Sequence, residues 1–151
     1  MGPRLPRMVD ISGKTPTGRE ARAAARLKCP REVVERLRRG DLEKGDALAA
    51  ARLAGIAAAK RTHELIPLCH PIPVDFANVE LGLGDDEVRI ETHVKSHAAT
   101  GVEMEALAAA AMAALTIYDM CKALSPDMIV TDIRLVEKTG GKQDFRREAE
   151  A

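Results

Sequence analysis

Aromatic side chains are scarce in this 151-residue chain: Phe76, Tyr118 and Phe145 account for its 2%. Proteins that grip single-stranded nucleic acid usually stack bases on aromatic platforms, and that means of recognition is missing. Net charge is missing too, because 23 lysines and arginines face 23 aspartates and glutamates. A neutral chain exerts no global pull on nucleic acid or membrane, so any anion it binds must be held by a local cluster. Cysteine is limited to Cys29, Cys69 and Cys121, with no CxxC pair. Scattered thiols in odd number point to a reducing cytoplasm, where they act as small apolar fillers. Long hydrophobic runs are absent as well. Met1–Arg7 has no apolar stretch and does not read as a signal peptide, and Ala106 to Tyr118 is too short to span a bilayer.

What is present suits one compact domain over 1–151, with an ordered core at about 8–145 and charged ends expected to fray. The pattern predicts a short extended piece at Met8–Ser12, a loop at Thr15–Gly18, and a segment Arg19–Cys29 that fits strand or helix. Pro30 to Arg39 reads as a helix, with Val33, Val34 and Leu37 on one side and Gly40 as its stop. A second helix starts at Asp46, a good N-cap, and runs to about Arg61 through a row of alanines. Pro67, Pro71 and Pro73 then make His63–Pro73 a rigid, extended loop.

Val79, Leu81 and Leu83, a turn at Gly84-Asp85-Asp86, and then Val88, Ile90, Thr92 and Val94 alternate with polar or small residues as a β-hairpin does. A long helix is expected from Val102 to Leu124. A last strand, Met128–Glu137, would place Ile129, Thr131, Ile133 and Leu135 on one face, and Lys138–Lys142 would close the ordered chain. Such an element order, without regular βα alternation, predicts an α+β, ferredoxin-like antiparallel sheet with helices on one face.

The long helix is the most informative element. Leu107 to Tyr118 is apolar or alanine nearly throughout, so the helix needs cover on every side. The sheet can cover one side, and another copy of the chain is the natural cover for the other. Glu105, Asp119 and Lys122 are set into this apolar rod. Glu105 and Asp119 are fourteen residues apart, which places them within about 40° on the helix surface but about 21 Å apart along it. If both act on one small molecule, Glu105 of one subunit must meet Asp119 of another. On spacing alone, Asp119 and Lys122 read equally well as a surface ion pair.

Elsewhere, His70 in Leu68-Cys-His-Pro71 is held between prolines, which suits proton transfer near neutral pH but also suits a structural histidine. His63, Cys69, His70 and Cys121 match no zinc-ligand spacing, and no metal site is expected. Lys44 lies just before a helix N-terminus, and Lys138 and Lys142 bracket Gly140-Gly141. Arg19 and Arg22, with Lys14 upstream, could clamp phosphate. Taken singly, each of these cations reads as an ordinary solvated side chain.

Together they form a pattern. Lys44-Gly-Asp46, Ala54–Thr62, Leu65-Ile-Pro-Leu-Cys-His-Pro71, Thr100-Gly-Val-Glu-Met-Glu-Ala-Leu107, Ala114–Ala123 and Lys138-Thr-Gly-Gly-Lys142 resemble the MoaC family, the cyclic pyranopterin monophosphate synthases of molybdenum cofactor biosynthesis. The likeness runs from about Met8 to Phe145 in the family's order. It implies a ferredoxin-like subunit in a cytoplasmic homohexamer, a trimer of dimers, with sites between subunits. It implies a lyase that converts a cyclised dihydro-GTP to cyclic pyranopterin monophosphate and releases diphosphate.

By the same resemblance, Asp119, Lys122, His70 and Lys44 would be catalytic. Leu68, Cys69, His70, Glu103, Met104, Glu105, Lys138 and Arg19 would contact the substrate. No cofactor is implied with certainty, and Mg2+ accompanying the substrate phosphates stays open, as do roles for Lys14, Arg22, His63 and Lys142. The alternative is a non-catalytic ferredoxin-like assembly or ligand-binding module, whose charges only hold the oligomer together.

Overall fold

A computed structural model describes residues 1–149, so the expected fraying of residues 150 and 151 lies outside the described residues. Nine elements follow in order: β1 (Thr17–Lys28), α1 (Arg31–Arg39), α2 (Ala47–Lys60), α3 (Thr62–Leu65), β2 (Phe76–Leu83), β3 (Glu87–Ala98), α4 (Glu103–Cys121), β4 (Ile129–Thr139) and β5 (Phe145–Arg146). The strands form one sheet in the order β2-β3-β1-β4-β5, and every neighbouring pair is antiparallel. The first four strands, with helices between β1 and β2 and between β3 and β4, make the ferredoxin-like arrangement expected from the sequence. β5 extends its edge.

The ambiguous segment Arg19–Cys29 falls in the central strand. Alanine favours helix locally, but β1 is paired along its length with β3 and β4, and tertiary pairing overrides that weak preference. Ala21, Ala23, Ala25 and Leu27 point inward and are buried. Their small side chains let α4 lie close over the sheet. On the same layer, α2 packs against α4, and Gly55 lies at a close approach between them. A Cβ at Gly55 would sit 2.7 Å from Val79 Cγ2 and 3.0 Å from the Ala109 carbonyl. Asp46 caps α2 by accepting the Ala49 N–H at 3.0 Å, and Gly40, at φ 67°, ends α1 in the left-handed conformation.

The inward face of α4 is Ala106, Ala109, Ala110, Ala113, Ala114, Ile117 and Cys121, all buried against the sheet and α2. By length and composition α4 could also cross a membrane, but here it is the central helix of the core. Its opposite stripe is not covered within the chain: Met104 is 38% and Leu115 48% exposed.

Four local expectations are corrected. The extended piece expected at Met8–Ser12 joins no sheet and gives way at its end to a turn, in which the Lys14 N–H donates to the Ile11 carbonyl. The loop expected from His63 begins later, because Thr62–Leu65 adds one helical turn before Ile66, the residue preceding Pro67, goes extended. In β4, Ile129, Thr131, Ile133 and Leu135 do not share a face. Two bulges break the pairing with β1, between Arg22 and Ala23 and between Ala24 and Arg26. Asp132, at φ 55°, lies where the second bulge falls. A bulge adds one residue and flips the alternation, so Val130 and Leu135 pack on the core while Ile129 and Ile133 are exposed. Finally, Lys138–Lys142 does not close the chain but turns it from β4 into β5.

Candidate active site

The structure gathers the candidate residues into two groups at opposite ends of α4. At its C-terminal end, Asp119 lies between two ammonium groups. Lys44 Nζ is 2.9 Å from Oδ2, and Lys122 Nζ is 2.9 Å from Oδ1. Lys44 comes from the turn before α2, so two separate elements fix the carboxylate from both sides. Lys44 first, and Lys122 second, hold the Asp119 carboxyl below the usual aspartate range. Asp119 is therefore ionised across the neutral range. All three side chains are about half exposed, so the cluster faces outward rather than into the core.

At the N-terminal end, a cleft of about 470 Å3 lies between the first turn of α4 and the proline loop. Leu68, Cys69, His70, Met104 and Glu105 line it. His70 Nε2 is 2.6 Å from the Val9 carbonyl. A carbonyl only accepts, so Nε2 carries the hydrogen in this contact and Nδ1 is left for other partners. Glu105 forms the floor and is only 3% exposed. The Cys69 thiol donates to its Oε1 at 3.7 Å, and Oε2 has no partner. Burial pushes the Glu105 carboxyl above its ordinary value. Burial first, and then Glu105 itself, push the Cys69 thiol up to about 11. Cys69 is thus a neutral hydrogen-bond donor here, not a thiolate nucleophile.

A second cleft, of about 270 Å3, opens beside the first and shares Lys14, Thr100, Gly101 and Glu103 with it. Arg19, Lys138 and Lys142 add cations to its wall. Lys138 Nζ is 3.2 Å from Glu103, and Arg19 Nε donates to the Ala98 carbonyl at 3.3 Å. The glycine pair makes this crowding possible. Gly140 has φ 92°, and a Cβ there would strike the Gly18 carbonyl; a Cβ on Gly141 would come within 2.7 Å of the Arg19 guanidinium. The two clefts form one trough, with carboxylates along its middle and cations at one end.

A cleft of about 540 Å3 lies elsewhere, between β1, β4 and β5. Of the residues singled out in the sequence it holds Arg22, which the trough wall does not include, and Arg134 and Arg147 in its wall are bonded to the carbonyls of Asp132 and Leu135. Nor does either part of the trough reach Asp119. Its helical separation from Glu105 stands at about 21 Å. Among the described residues, no three histidine, cysteine or acidic side chains come together as a metal site would require.

The MoaC family pattern matches residues 8–141. The chain belongs to the MoaC family. The match begins one residue before Val9, which holds His70, and ends at Gly141 of the glycine pair, so it includes both groups and leaves out β5. Among its curated relatives, a cyclic pyranopterin monophosphate synthase of Heliobacterium modesticaldum is 56% identical over 138 residues, covering 90% of this chain and 87% of that protein. One from Peptoclostridium acidaminophilum is 48% identical over 144 residues, covering 95% and 92%. One from Streptomyces griseus is 54% identical over 144 residues, covering 95% and 81%.

Within this MoaC chain, sequence reasoning missed two contacts. The Val9 carbonyl under His70 has no sequence signal, since any residue supplies a carbonyl. The Lys44–Asp119 pair joins two positions that the sequence marks separately; only the packing of α2 along α4 reveals them as partners.

Proposed function

We propose that this chain is a lyase of molybdenum cofactor biosynthesis, converting (8S)-3',8-cyclo-7,8-dihydroguanosine 5'-triphosphate to cyclic pyranopterin monophosphate with release of diphosphate. The observation that carries the reading is the division of labour along α4. One end presents an ionised aspartate clasped by two lysines, and the other presents a cation-walled trough with a histidine and a buried acid. That arrangement, in a chain 56% identical to a cyclic pyranopterin monophosphate synthase, supports both halves of the reaction.

The chemistry needs two kinds of help. Opening and reclosing the purine-derived rings moves protons in several steps, for which Asp119, Lys122 and His70 are suited as acids and bases. Forming the cyclic phosphate requires a sugar hydroxyl to attack the α-phosphorus. The bond to the β-phosphate oxygen breaks, the hydroxyl proton passes to a base, and diphosphate leaves with its negative charge. Lys138 and Arg19, in the trough wall, would hold that charge. Leu68–His70 and Glu103–Glu105 would contact the rest of the substrate.

Because the two groups lie about 21 Å apart along one helix, a small substrate meets both only where copies join. The uncovered stripe of α4, with Met104 and Leu115, supports such a junction. We place the site between subunits of a homohexamer built as a trimer of dimers, in the cytoplasm. Incubating the purified protein with the cyclised dihydro-GTP is expected to release one diphosphate per pterin formed. Release of no diphosphate by a correctly folded oligomer would overturn the reading.

A further inference from the structure

The inner face of β3 is hydrocarbon where it packs on the core, and Val88, Ile90 and Val94 are fully buried. Thr92 and Ser96 interrupt it, each nearly as deep, at 2% and 4% exposure. A buried hydroxyl costs free energy unless it is bonded, so the destination of each one matters. Thr92 Oγ1 donates to the Ala106 carbonyl in α4 at 2.8 Å, while the Ala23 carbonyl lies farther off at 3.4 Å. Ser96 Oγ donates to the Pro73 carbonyl.

These acceptors belong to the two segments that wall the trough. Ala106 directly follows Glu103-Met104-Glu105, and a carbonyl inside a helix keeps a second lone pair for such a contact. The bond therefore sets both the rotation of α4 and its height over β3 beside Glu105. Pro73 lies three residues after His70. Pro71 and Pro73 have fixed φ, and His70 and Ile72, each preceding a proline, are confined to extended backbone. Little torsional freedom remains between His70 and Pro73, so an anchor at one end places the other. The Asp75 N–H adds a bond to the Lys95 carbonyl at 2.9 Å, tying the loop to β3 a second time.

We propose that Thr92 and Ser96 are positioning residues for substrate binding, setting from one rigid strand the distance between the helix wall and the loop wall of the trough. Four positions of strand separate them by about 13 Å. Neither touches the trough; each acts through the segment it holds.

The inference rests on the proposed diphosphate-releasing activity, and the same assay tests it. Thr92→Val keeps the shape and removes only the hydroxyl, and Ser96→Ala removes the other. Thr92→Val, which loosens only the helix wall, is expected to raise KM for the cyclised dihydro-GTP about tenfold while kcat stays within about twofold. Ser96→Ala, which loosens the loop that carries His70, is expected to raise KM about tenfold and to lower kcat as well. Thr92→Ser, which keeps the donor, is expected to return KM to within about threefold of wild type. If Ser96→Ala does not fold, Thr92→Val decides alone. An unchanged KM in Thr92→Val, or a KM no better in Thr92→Ser than in Thr92→Val, would remove this inference and leave the activity standing. A wild type that releases no diphosphate would remove both.

Discussion

Asp119→Asn is expected to lower kcat for diphosphate release by about a thousandfold, with KM changed only a few-fold. Asparagine keeps the size of the side chain but removes the charge that Lys44 and Lys122 hold between them at 2.9 Å each. It can neither take a proton as a base nor return one as an acid. Two ammonium groups would then face each other with no anion between them, and the proton inventory of that end of the site would change with them. The fold has little at stake. Asp119 is half exposed, and exposed ion pairs contribute little to stability. The variant should therefore keep its oligomeric state and melting midpoint. A purely structural cluster predicts the reverse: a weakened assembly, and no specific loss at the chemical step.

Lys44→Ala carries the second large effect, a loss of about a hundredfold in kcat. The hydrogen bond from Lys44 is the largest single influence that holds the Asp119 carboxyl down, and Lys122 adds to it. Without it the carboxyl moves back up toward the ordinary aspartate value of 3.8. A lowered carboxyl is ionised over a wider acidic range, so its loss shifts the acid limb of kcat to higher pH. The same depressed value would add stability above the unfolded chain's pKa and lose it as pH falls, but the pair is exposed and screened by solvent, so Lys44→Ala should leave the acid tolerance of the fold nearly unchanged. The checks are the pH profile of diphosphate release and an NMR titration of the Asp119 carboxyl carbon. A titration that does not move would show that Lys44 does not set the ionisation of Asp119.

Much of this arrangement is legible in the sequence where chemistry and periodicity agree. Ionisable groups on an alanine rod stand out because they are costly to bury there, and Glu105 and Asp119 announced both their shared stripe and their separation. Gly40 and Asp46 marked helix ends because only certain residues satisfy those backbone groups. The hairpin of β2 and β3 showed in strict alternation.

Other features were hidden for definite reasons. β1 is written in alanine, whose local preference is helical, and only its two flanking strands make it a strand. β4 reads as an alternating strand, but its bulges move Leu135 to the core, and no single residue signals where a bulge falls. The depth of Glu105, with one oxygen unpartnered, depends on the proline loop closing over it through Cys69. Spacing within α4 gives no hint of that lid.

On the proposed reading the trough of one copy works with the aspartate of another, and mixing subunits of two variants would reveal it. His70→Ala and Asp119→Asn proteins, each inactive alone, are to be dissociated together, reassembled and assayed for diphosphate release. Composite sites predict that activity returns, because some junctions in the hybrids pair an intact His70 trough with an intact Asp119. If hybrids of proven mixed composition stay as inactive as their parents, the two ends of α4 do not share a substrate across copies.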